Sequence, residues 1–280
     1  MTTREELKEQ QRRQWGGNAA NWDRQHDRLE RDTRPVTDWL CKSAGLAPGM
    51  RVLDLACGSG HAALEEGRLV QPGGSVVATD LAPEMVETTL RRAGEAGLDN
   101  LTARVVDAES IDYPDESDAV TMRFGLMFCP EPERAVAEIR RVLRPRGRFA
   151  VAVWDDPRKS PAHSVLDQAM ERAGLPDSEQ QNRLGPLRLS SPGALESVLR
   201  SGGLTDFETE SLSMAWEYGS FEEFWLERVT RSPQVGRLLA EDNQEAIERF
   251  KSALSEVVQP YAAQGRLRLT ATALCAAGQK

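Results

Sequence analysis

The sequence has little of what several classes of protein need. Its 280 residues include only four cysteines, which form no Cys-x-x-Cys pair, and three histidines that lie far apart. Structural zinc sites need clustered ligands, and small secreted domains need dense cysteines, so the sequence indicates neither. We therefore expect no metal site and reduced thiols, which are typical of a cytoplasmic protein.

Long apolar runs and an excess of basic charge are also missing. No run reaches the ~18 apolar residues of a membrane-spanning helix, and residues 1–14 are too polar for a signal peptide. The 35 Lys and Arg residues are outnumbered by 44 Asp and Glu, which gives a net charge of −9. We therefore expect neither a membrane span nor a nucleic-acid partner.

What the sequence does have is one pattern typical of a nucleotide site. Residues 52–56 are apolar apart from Asp54 and predict a buried parallel strand. Gly58 and Gly60 follow and allow a sharp turn, because neither carries a Cβ. The residues after His61 predict a helix whose free amides face that turn. A strand, a glycine-rich turn and a helix in this order favour nucleotide binding.

Two acids narrow the choice of ligand. Asp80 ends the next predicted strand, where a carboxylate can accept hydrogen bonds from both ribose hydroxyls. Gly58-x-Gly60-x-x-Ala63 also fits the dinucleotide fingerprint, so a nicotinamide-dependent oxidoreductase is an alternative. Asp54 favours a different ligand, because a carboxylate repels pyrophosphate but attracts an ammonium group.

S-adenosylmethionine carries an ammonium group and no phosphate. The run 52–60, together with Asp80, resembles the class I S-adenosylmethionine-dependent methyltransferases, in particular the small-molecule branch similar to the ubiquinone and menaquinone C-methyltransferases. The resemblance covers nearly the whole chain and is specific over residues 51–154. It implies an α/β, Rossmann-like fold with a mostly parallel sheet, an antiparallel closing strand, a helical N-terminal lid and a helical insertion near the C-terminus.

The predicted elements divide the chain into three segments. We expect a helical lid over residues 1–48, a cofactor-binding core over residues 49–154, and cap segments with the closing strands of the same domain over residues 155–280. Helices at 221–229, 233–239 and 244–258 interrupt the closing strands.

Within the lid, the sequence predicts three helices. The first ends at Gln14, because the glycine pair after Trp15 is expected to break it, and the second ends near Leu29. The third is expected to begin at Asp32 as its N-cap. The resemblance implies that Trp22 and its neighbours fold over the cofactor, although the tryptophans can equally pack the lid onto the core.

Candidate cofactor residues lie in the lid and at the predicted strand ends. Asp107 resembles the adenine-reading position of the family, while Leu81 and Met85 either sandwich the adenine or pack a helix on the sheet. His61 is expected near the methionine end. The set expected to contact the cofactor is Trp22, Asp54, Ala56, Gly58, Gly60, His61, Asp80, Leu81, Met85, Asp107, Ala108 and Arg123.

An apolar loop follows the fourth predicted strand. Phe124, Met127 and Phe128 are expected either to line an apolar substrate pocket or to pack beneath the next helix. His26 and His163 are the candidate catalytic residues, with a structural role as the alternative for each. A base is needed only if the acceptor is weakly acidic, because a sulfonium is already an activated methyl donor.

The sequence therefore predicts a methyltransferase that acts on a small, apolar or aromatic metabolite. A cyclase or isomerase that binds the cofactor without transferring its methyl group is the alternative. The expected partner is a small-molecule substrate, and a homodimer is also considered. Arg146 stands where the family usually has glycine, and we expect it to alter a turn and not the chemistry.

Overall fold

The computed structural model describes residues 3–114, 116–175, 184–231 and 244–280. Its helices lie on both faces and at one end of a single sheet. The longer ones are α1 Arg4–Arg24, α2 His26–Ser43, α3 His61–Leu69, α4 Pro83–Glu95, α5 Pro132–Val142, α6 Pro161–Arg172, α7 Ala194–Ser201, α8 Phe221–Arg231 and α9 Gln244–Val257.

The sheet has a parallel part that is completed by antiparallel strands. Its strands are β1 Arg51–Leu55, β2 Ser75–Asp80, β3 Leu101–Val105, β4 Ser117–Arg123, β5 Leu143–Trp154, β6 Asp206–Tyr218, β7 Ala262–Ala263 and β8 Arg266–Gln279. The order is β3-β2-β1-β4-β5-β8-β6, with β7 paired to β8. Strands β1 to β5 run parallel, and β8 is antiparallel to both β5 and β6. This is the predicted Rossmann-like fold, including its closing strand, and the prediction is confirmed.

The register of the parallel strands brings the candidate residues together. Asp54 on β1 lies beside Ala78 of β2 on one side and Thr121 of β4 on the other. β1 is buried from Val52 onward because it is central and covered on both faces. The carboxyl ends of β1, β2 and β4 therefore meet at one edge, and the sheet reverses its order there.

The N-terminal helices differ from the prediction. α1 continues through Gly16 and Gly17 without a break, and the chain turns at Gln25 instead. A Cβ at Gly16 would lie 2.5 Å from Glu84 Oε2, so α1 packs closely on α4 there. Two glycines in a helix cost roughly 2 kcal/mol. Burying even half of each indole of Trp15 and Trp22 gains more than that, at ~25 cal/mol per Å².

The predicted start of the third helix is also wrong. Asp32 lies inside α2, is buried, and pairs with Arg28 at 3.3 Å instead of capping a helix. Pro35 lies within the same helix, so α2 contains two residues, Asp32 and Pro35, with low propensity for the interior of a helix. Burial of one face, including Leu29, Val36 and Leu40, is what holds α2 in place.

Strand β5 begins earlier than the sequence predicts. The apolar spacing of residues 131–143 predicts a helix that reaches Leu143, and a strand is predicted only from Phe149, but β5 starts at Leu143. The register between β4 and β5 shifts between Ser117 and Ala119, which pair with Leu143 and Arg148. The extra residues bulge out, and Arg146 adopts φ 63°, a left-handed conformation that normally favours glycine. Whether Arg146 alters this turn relative to a glycine stays a prediction.

The remaining predictions for the C-terminal half have mixed outcomes. α8 and α9 interrupt the strands of the sheet as expected, and the helix predicted at 233–239 lies outside the described residues. The division into three segments stays a prediction. Among the described residues, no helix combines the length and apolarity needed to cross a bilayer, and no cluster of three or more metal-binding side chains occurs.

Candidate cofactor site

The glycine-rich turn after β1 lies at the floor of a pocket. Ala56, Gly58 and Gly60 all have positive φ values, of 53°, 55° and 87°. A Cβ built on Gly58 would meet no atom within 4 Å, so this residue faces open space. Gly60 is tight for a different reason, since its Cβ would lie 3.0 Å from Thr89. The turn thus leaves room for a ligand at Gly58 and packs against α4 at Gly60.

Asp80, at the end of β2, holds this turn in place. One oxygen of its carboxylate accepts a hydrogen bond from the Gly58 amide and the other from the Ala82 amide, both at 2.9 Å. Burial raises the pKa of Asp80, while these amides oppose the shift. The two carboxylate oxygens have more lone pairs than these backbone amides use, and a ribose hydroxyl can donate to one of them. Asp80 lines the pocket and is able to play the role predicted for it.

Asp54 lies deeper in the same pocket and is almost fully buried. Its Oδ1 is 3.5 Å from the Thr121 hydroxyl, and its Oδ2 has no hydrogen-bond partner. Burial and the neighbouring Glu66 raise the pKa of Asp54 well above its ordinary value. An orphaned, buried carboxylate oxygen at a pocket wall is costly unless a ligand completes it. An ammonium group is the complement that this oxygen lacks.

Arg123 lies beside these acids at the end of β4. Its guanidinium donates to the hydroxyls of Thr33 and Thr37 on α2, at 2.9 and 2.7 Å. Glu30 of the same helix is 3.9 Å away. Arg123 lines the pocket, and its Nη1 contacts α2, so it connects the lid helices with the strand ends.

Helix α1 closes the pocket from above. Lys8 has a side chain that is only 7% exposed, and it pairs with Asp107 at 2.5 Å and Glu109 at 2.9 Å. Burial opposes its charge, but the two carboxylates outweigh burial and raise the pKa of Lys8. At the other end of α1, Asp23 pairs with Arg92 at 2.6 Å. The helix is thus held at both ends across the pocket.

Aromatic rings of the lid face the loop after β4. Trp15 makes edge contacts with Trp22 and with Phe128, at centroid distances of 5.6 and 4.9 Å. All three rings line the pocket, and Met85 lies beneath the two tryptophans. The lid therefore supplies an apolar cover and Lys8 supplies its polar edge.

The remaining site residues predicted from the sequence fall into two groups. Ala56, His61, Leu81, Ala108 and Phe124 line the pocket. Met127 is fully buried in the main core instead, and it is absent from the described pocket lining. Gly60 also lies behind the lining, against α4. The roles assigned to all these residues stay predictions.

The two candidate catalytic histidines lie behind the pocket wall. His26 stacks on His61 with centroids 4.1 Å apart, and the His26 carbonyl accepts a hydrogen bond from His61 Nε2. Burial, with Arg92 adding to it, lowers the pKa of His26 to about 4. The ring centroids of His163 and Trp154 are 4.3 Å apart, and Trp154 in turn stacks on Phe124 of the pocket lining. The Nδ1 of His163 contacts the Ser160 hydroxyl at 2.9 Å.

Comparison with known proteins identifies a domain in the middle of the chain. Residues 53–151 match the model of a methyltransferase domain, and that span contains the glycine turn, Asp54, Asp80 and Asp107. Residues 53–151 therefore form a methyltransferase domain. S-adenosylmethionine is the cofactor of this domain, and the residues present fit it: Asp54 offers an orphaned acceptor and Gly58 leaves open space.

Relatives by sequence agree with this methyltransferase domain. A ubiquinone/menaquinone biosynthesis C-methyltransferase, UbiE of Bordetella avium, is 36% identical over 137 residues, 48% of this chain and 52% of that protein. An uncharacterised methyltransferase of Bacillus subtilis, YcgJ, is 28% identical over 229 residues, 79% and 83% of the two chains. The chain spans about half the length, or less, of several curated relatives, including one of Mycobacterium tuberculosis at 43%.

Solved structures resemble this chain over more than the methyltransferase domain alone. The crystal structure of YcgJ from Bacillus subtilis superposes with a TM-score of 0.60 at 22% identity, covering 87% of this chain and 97% of that one. The [4+2]-cyclase SpnF superposes with a TM-score of 0.53 at 25% identity, covering 87% and 80%. These likenesses support the fold over most of the chain.

Some residues of the site were not found by sequence reasoning. Lys8, Gln11 and Glu109 line the pocket, and Glu66 lies directly behind Asp54. One signal was available for Glu66, which follows Ala62 by four residues and Ala63 by three. It therefore falls on the apolar face of α3, where a charge is unusual.

Proposed function

We propose that the protein transfers the methyl group of S-adenosylmethionine to a small, apolar or aromatic acceptor bound beside Phe124. The observation that carries this proposal is the row of acids at the carboxyl ends of three neighbouring strands. Asp54 lies in β1 near its carboxyl end, Asp80 is the last residue of β2, and Asp107 follows β3; all three line one pocket. A ligand with an ammonium group, a ribose and an adenine presents its polar groups in that order.

The apolar side of the same pocket supports an apolar or aromatic acceptor. Phe124 lines the pocket and stacks on Trp154, with centroids 3.9 Å apart and planes at 15°. Phe124 also has φ 58°, a conformation that costs a non-glycine residue roughly 1–2 kcal/mol. Such strain persists where the surroundings fix it, and here it directs the ring between the pocket and Trp154. A flat apolar acceptor fits against this ring.

The chemistry needs little more than binding and exclusion of water. The sulfonium of the bound cofactor supplies an activated methyl group. The Asp54 carboxylate holds the ammonium end, Asp80 holds the ribose, and Trp15 with Trp22 keeps water away from the pocket. Phe124 orients the acceptor, so proximity is the main catalytic contribution.

Direct proton transfer by a histidine is a weaker proposal. His26 and His163 stay the candidates for a base, but both lie behind residues that line the pocket. A side chain that acts directly as the base contributes at least ~100-fold to the rate. His163→Gln is therefore expected to lower kcat by less than about tenfold. A loss of 100-fold or more would assign His163 to catalysis.

The experiment that tests the proposed function measures binding first. S-adenosylhomocysteine is titrated calorimetrically into the wild type, Asp80→Ala and Asp99→Ala, since Asp99 is an exposed acid at the other end of the sheet. Losing hydrogen bonds to a carboxylate costs about 1.5–3 kcal/mol, so Asp80→Ala should weaken binding at least about tenfold. Equal binding by all three proteins would remove the cofactor from this pocket.

A cyclase or isomerase is the second candidate, favoured by the likeness to the [4+2]-cyclase SpnF. Such an enzyme keeps the cofactor intact. Incubation with methyl-labelled S-adenosylmethionine and a panel of phenols and quinols separates the two, because only a methyltransferase moves the label into product. Retention of label with a changed acceptor would favour the cyclase.

Assembly is a further proposal that concerns the whole chain. We propose a small-molecule substrate and no nucleic-acid partner, supported by the net charge of −9. The exposed edge strand β6 is compatible with a homodimer. Light scattering on the purified protein distinguishes 31.0 kDa from twice that mass.

A further inference from the structure

Behind the pocket wall, two carboxyl groups share one hydroxyl. Thr121 Oγ1 lies 2.7 Å from Glu66 Oε1 and 3.5 Å from Asp54 Oδ1. Both acids are at most 1% exposed. The second oxygen of each acid has no hydrogen-bond partner. A hydroxyl has a single proton, so it cannot satisfy two carboxylates at once.

The surroundings of this pair contain more acid than base. Arg123 is the one cation among the groups that act on the pair from the described elements, and it is also shared with Glu30 of α2. Asp80 at the end of β2 adds a further carboxyl, and Cys41 of α2 is a buried thiol held neutral. One buried cation does not offset four carboxyl groups, so full ionisation of the pair is unfavourable.

We propose that Asp54 and Glu66 hold a shared proton in the free protein, and that binding of the cofactor's ammonium group at Asp54 expels it. Glu66 is thereby a positioning residue, because it acts on the cofactor only through Asp54 and Thr121. The proposal rests on the cofactor assignment made above. It adds that cofactor affinity depends on pH in the neutral range.

The direction of this dependence follows from linkage. Burial raises the pKa of Glu66 to about 7, and burial with Glu66 raises that of Asp54 well above its ordinary value. The free protein therefore holds more protons than the complex near neutral pH. Binding tightens as the pH rises, and below the midpoint it weakens about tenfold per pH unit for one linked proton.

The test counts protons during binding. S-adenosylhomocysteine is titrated into the full chain near pH 7 in buffers of different ionisation enthalpy, and the slope of heat against that enthalpy gives the protons released. The wild type should release a substantial fraction of one proton. 5′-Methylthioadenosine, which lacks the amino-acid tail and its ammonium group, should release none.

Two variants decide which residue carries the proton. Glu66→Gln removes the shared acid, so proton release should fall at least about threefold and the pH dependence of the dissociation constant should flatten. Thr121→Val removes the hydroxyl that favours ionisation of Glu66 and should move the midpoint of proton release to higher pH. Glu65→Gln is the matched control on the same helix, since Glu65 pairs with Arg34 and Arg68 instead.

Each outcome bears on the proposal separately from the cofactor assignment. Tight binding of S-adenosylhomocysteine with no proton release by the wild type overturns the inference and leaves the cofactor in place. Equal release by the wild type, Glu66→Gln and Thr121→Val also overturns it. Absence of binding by the wild type removes both. If one variant fails to fold, the other still decides the question.

Discussion

At the scale of single residues, His61, which is buried, and His26, which is partly buried, make the site sensitive to acid. His26 and His61 stack beneath the glycine turn, and His26 Nδ1 is buried without a hydrogen-bond partner. Burial lowers the pKa of His26 to about 4 and that of His61 well below its ordinary value. Both rings must therefore stay neutral for the stack to form.

A loss of stability at mildly acidic pH follows. The unfolded chain binds a proton at His26 near its ordinary pKa of about 6.5, above the folded value, so the free energy of unfolding falls as the pH drops from about 6.5 to about 4. Because His26 is only partly buried, the loss should be modest. Thermal denaturation at several pH values in this range measures it.

His26→Phe keeps a ring in the stack and removes this titration. The variant should lose less Tm than the wild type between about pH 6.5 and about pH 4. Denaturation at about pH 8, where neither histidine is charged, is the control for altered packing. Equal losses of Tm in the two proteins would show that His26 does not cause the acid sensitivity.

Sequence and structure agree at the acids near the carboxyl ends of the strands. Asp54 and Asp80 could be placed at one edge from the sequence, because parallel strands end at the same side. Glu66 could be placed only on the apolar face of α3, and Lys8 could not be placed at the pocket at all. Their positions depend on how α3 and α1 rotate against the sheet, which sequence spacing alone does not specify. Met127 shows the same limit, since the loop turns it into the core and not toward the pocket.

At the scale of elements, one buried cation, Lys8, holds the first half of α1 on the pocket. Lys8 is the partner of both Asp107 and Glu109, and Glu109 is itself buried. Lys8→Met keeps much of the apolar stem but leaves two acids facing each other. Removing one partner of a buried ion pair costs about 3–5 kcal/mol, and this cost should appear as opening of α1.

Hydrogen exchange measures that opening. Backbone amides of α1 in Lys8→Met should exchange at least about tenfold faster than in the wild type, while those of β1 and β4 stay protected. Arg13→Met is the matched control, because Arg13 lies on the same helix, is exposed, and pairs with Glu9 of α1. Unchanged exchange in α1 would mean that Lys8 does not hold the lid.

Elements were predicted best where the apolar pattern was continuous. β1 lies close to the predicted residues 52–56, and β2 ends at Asp80 as predicted, because the apolar strand patterns are clear there. The break expected at Gly16 was wrong, since packing on α4 outweighs helix propensity. The early start of β5 was also missed, because a bulge with a left-handed Arg146 leaves no local signal in the sequence.

At the scale of the whole molecule, the fold places one pocket between the strand ends and the N-terminal helices. Polar groups lie along its β1–β3 side, and aromatic rings lie on the β4 side and in the lid. This division gives the cofactor and the acceptor adjoining surfaces. The methyl group must cross from one surface to the other, so the account depends on where the adenosine and its amino-acid tail lie.

A crystal structure with S-adenosylhomocysteine tests that claim most directly. We expect the ammonium group at Asp54 Oδ2, the ribose hydroxyls on Asp80, and the adenine near Asp107 under α1, with the sulfur facing Phe124. A ligand bound elsewhere, or one in this pocket with Asp54 and Asp80 making no contact to it, would contradict the account.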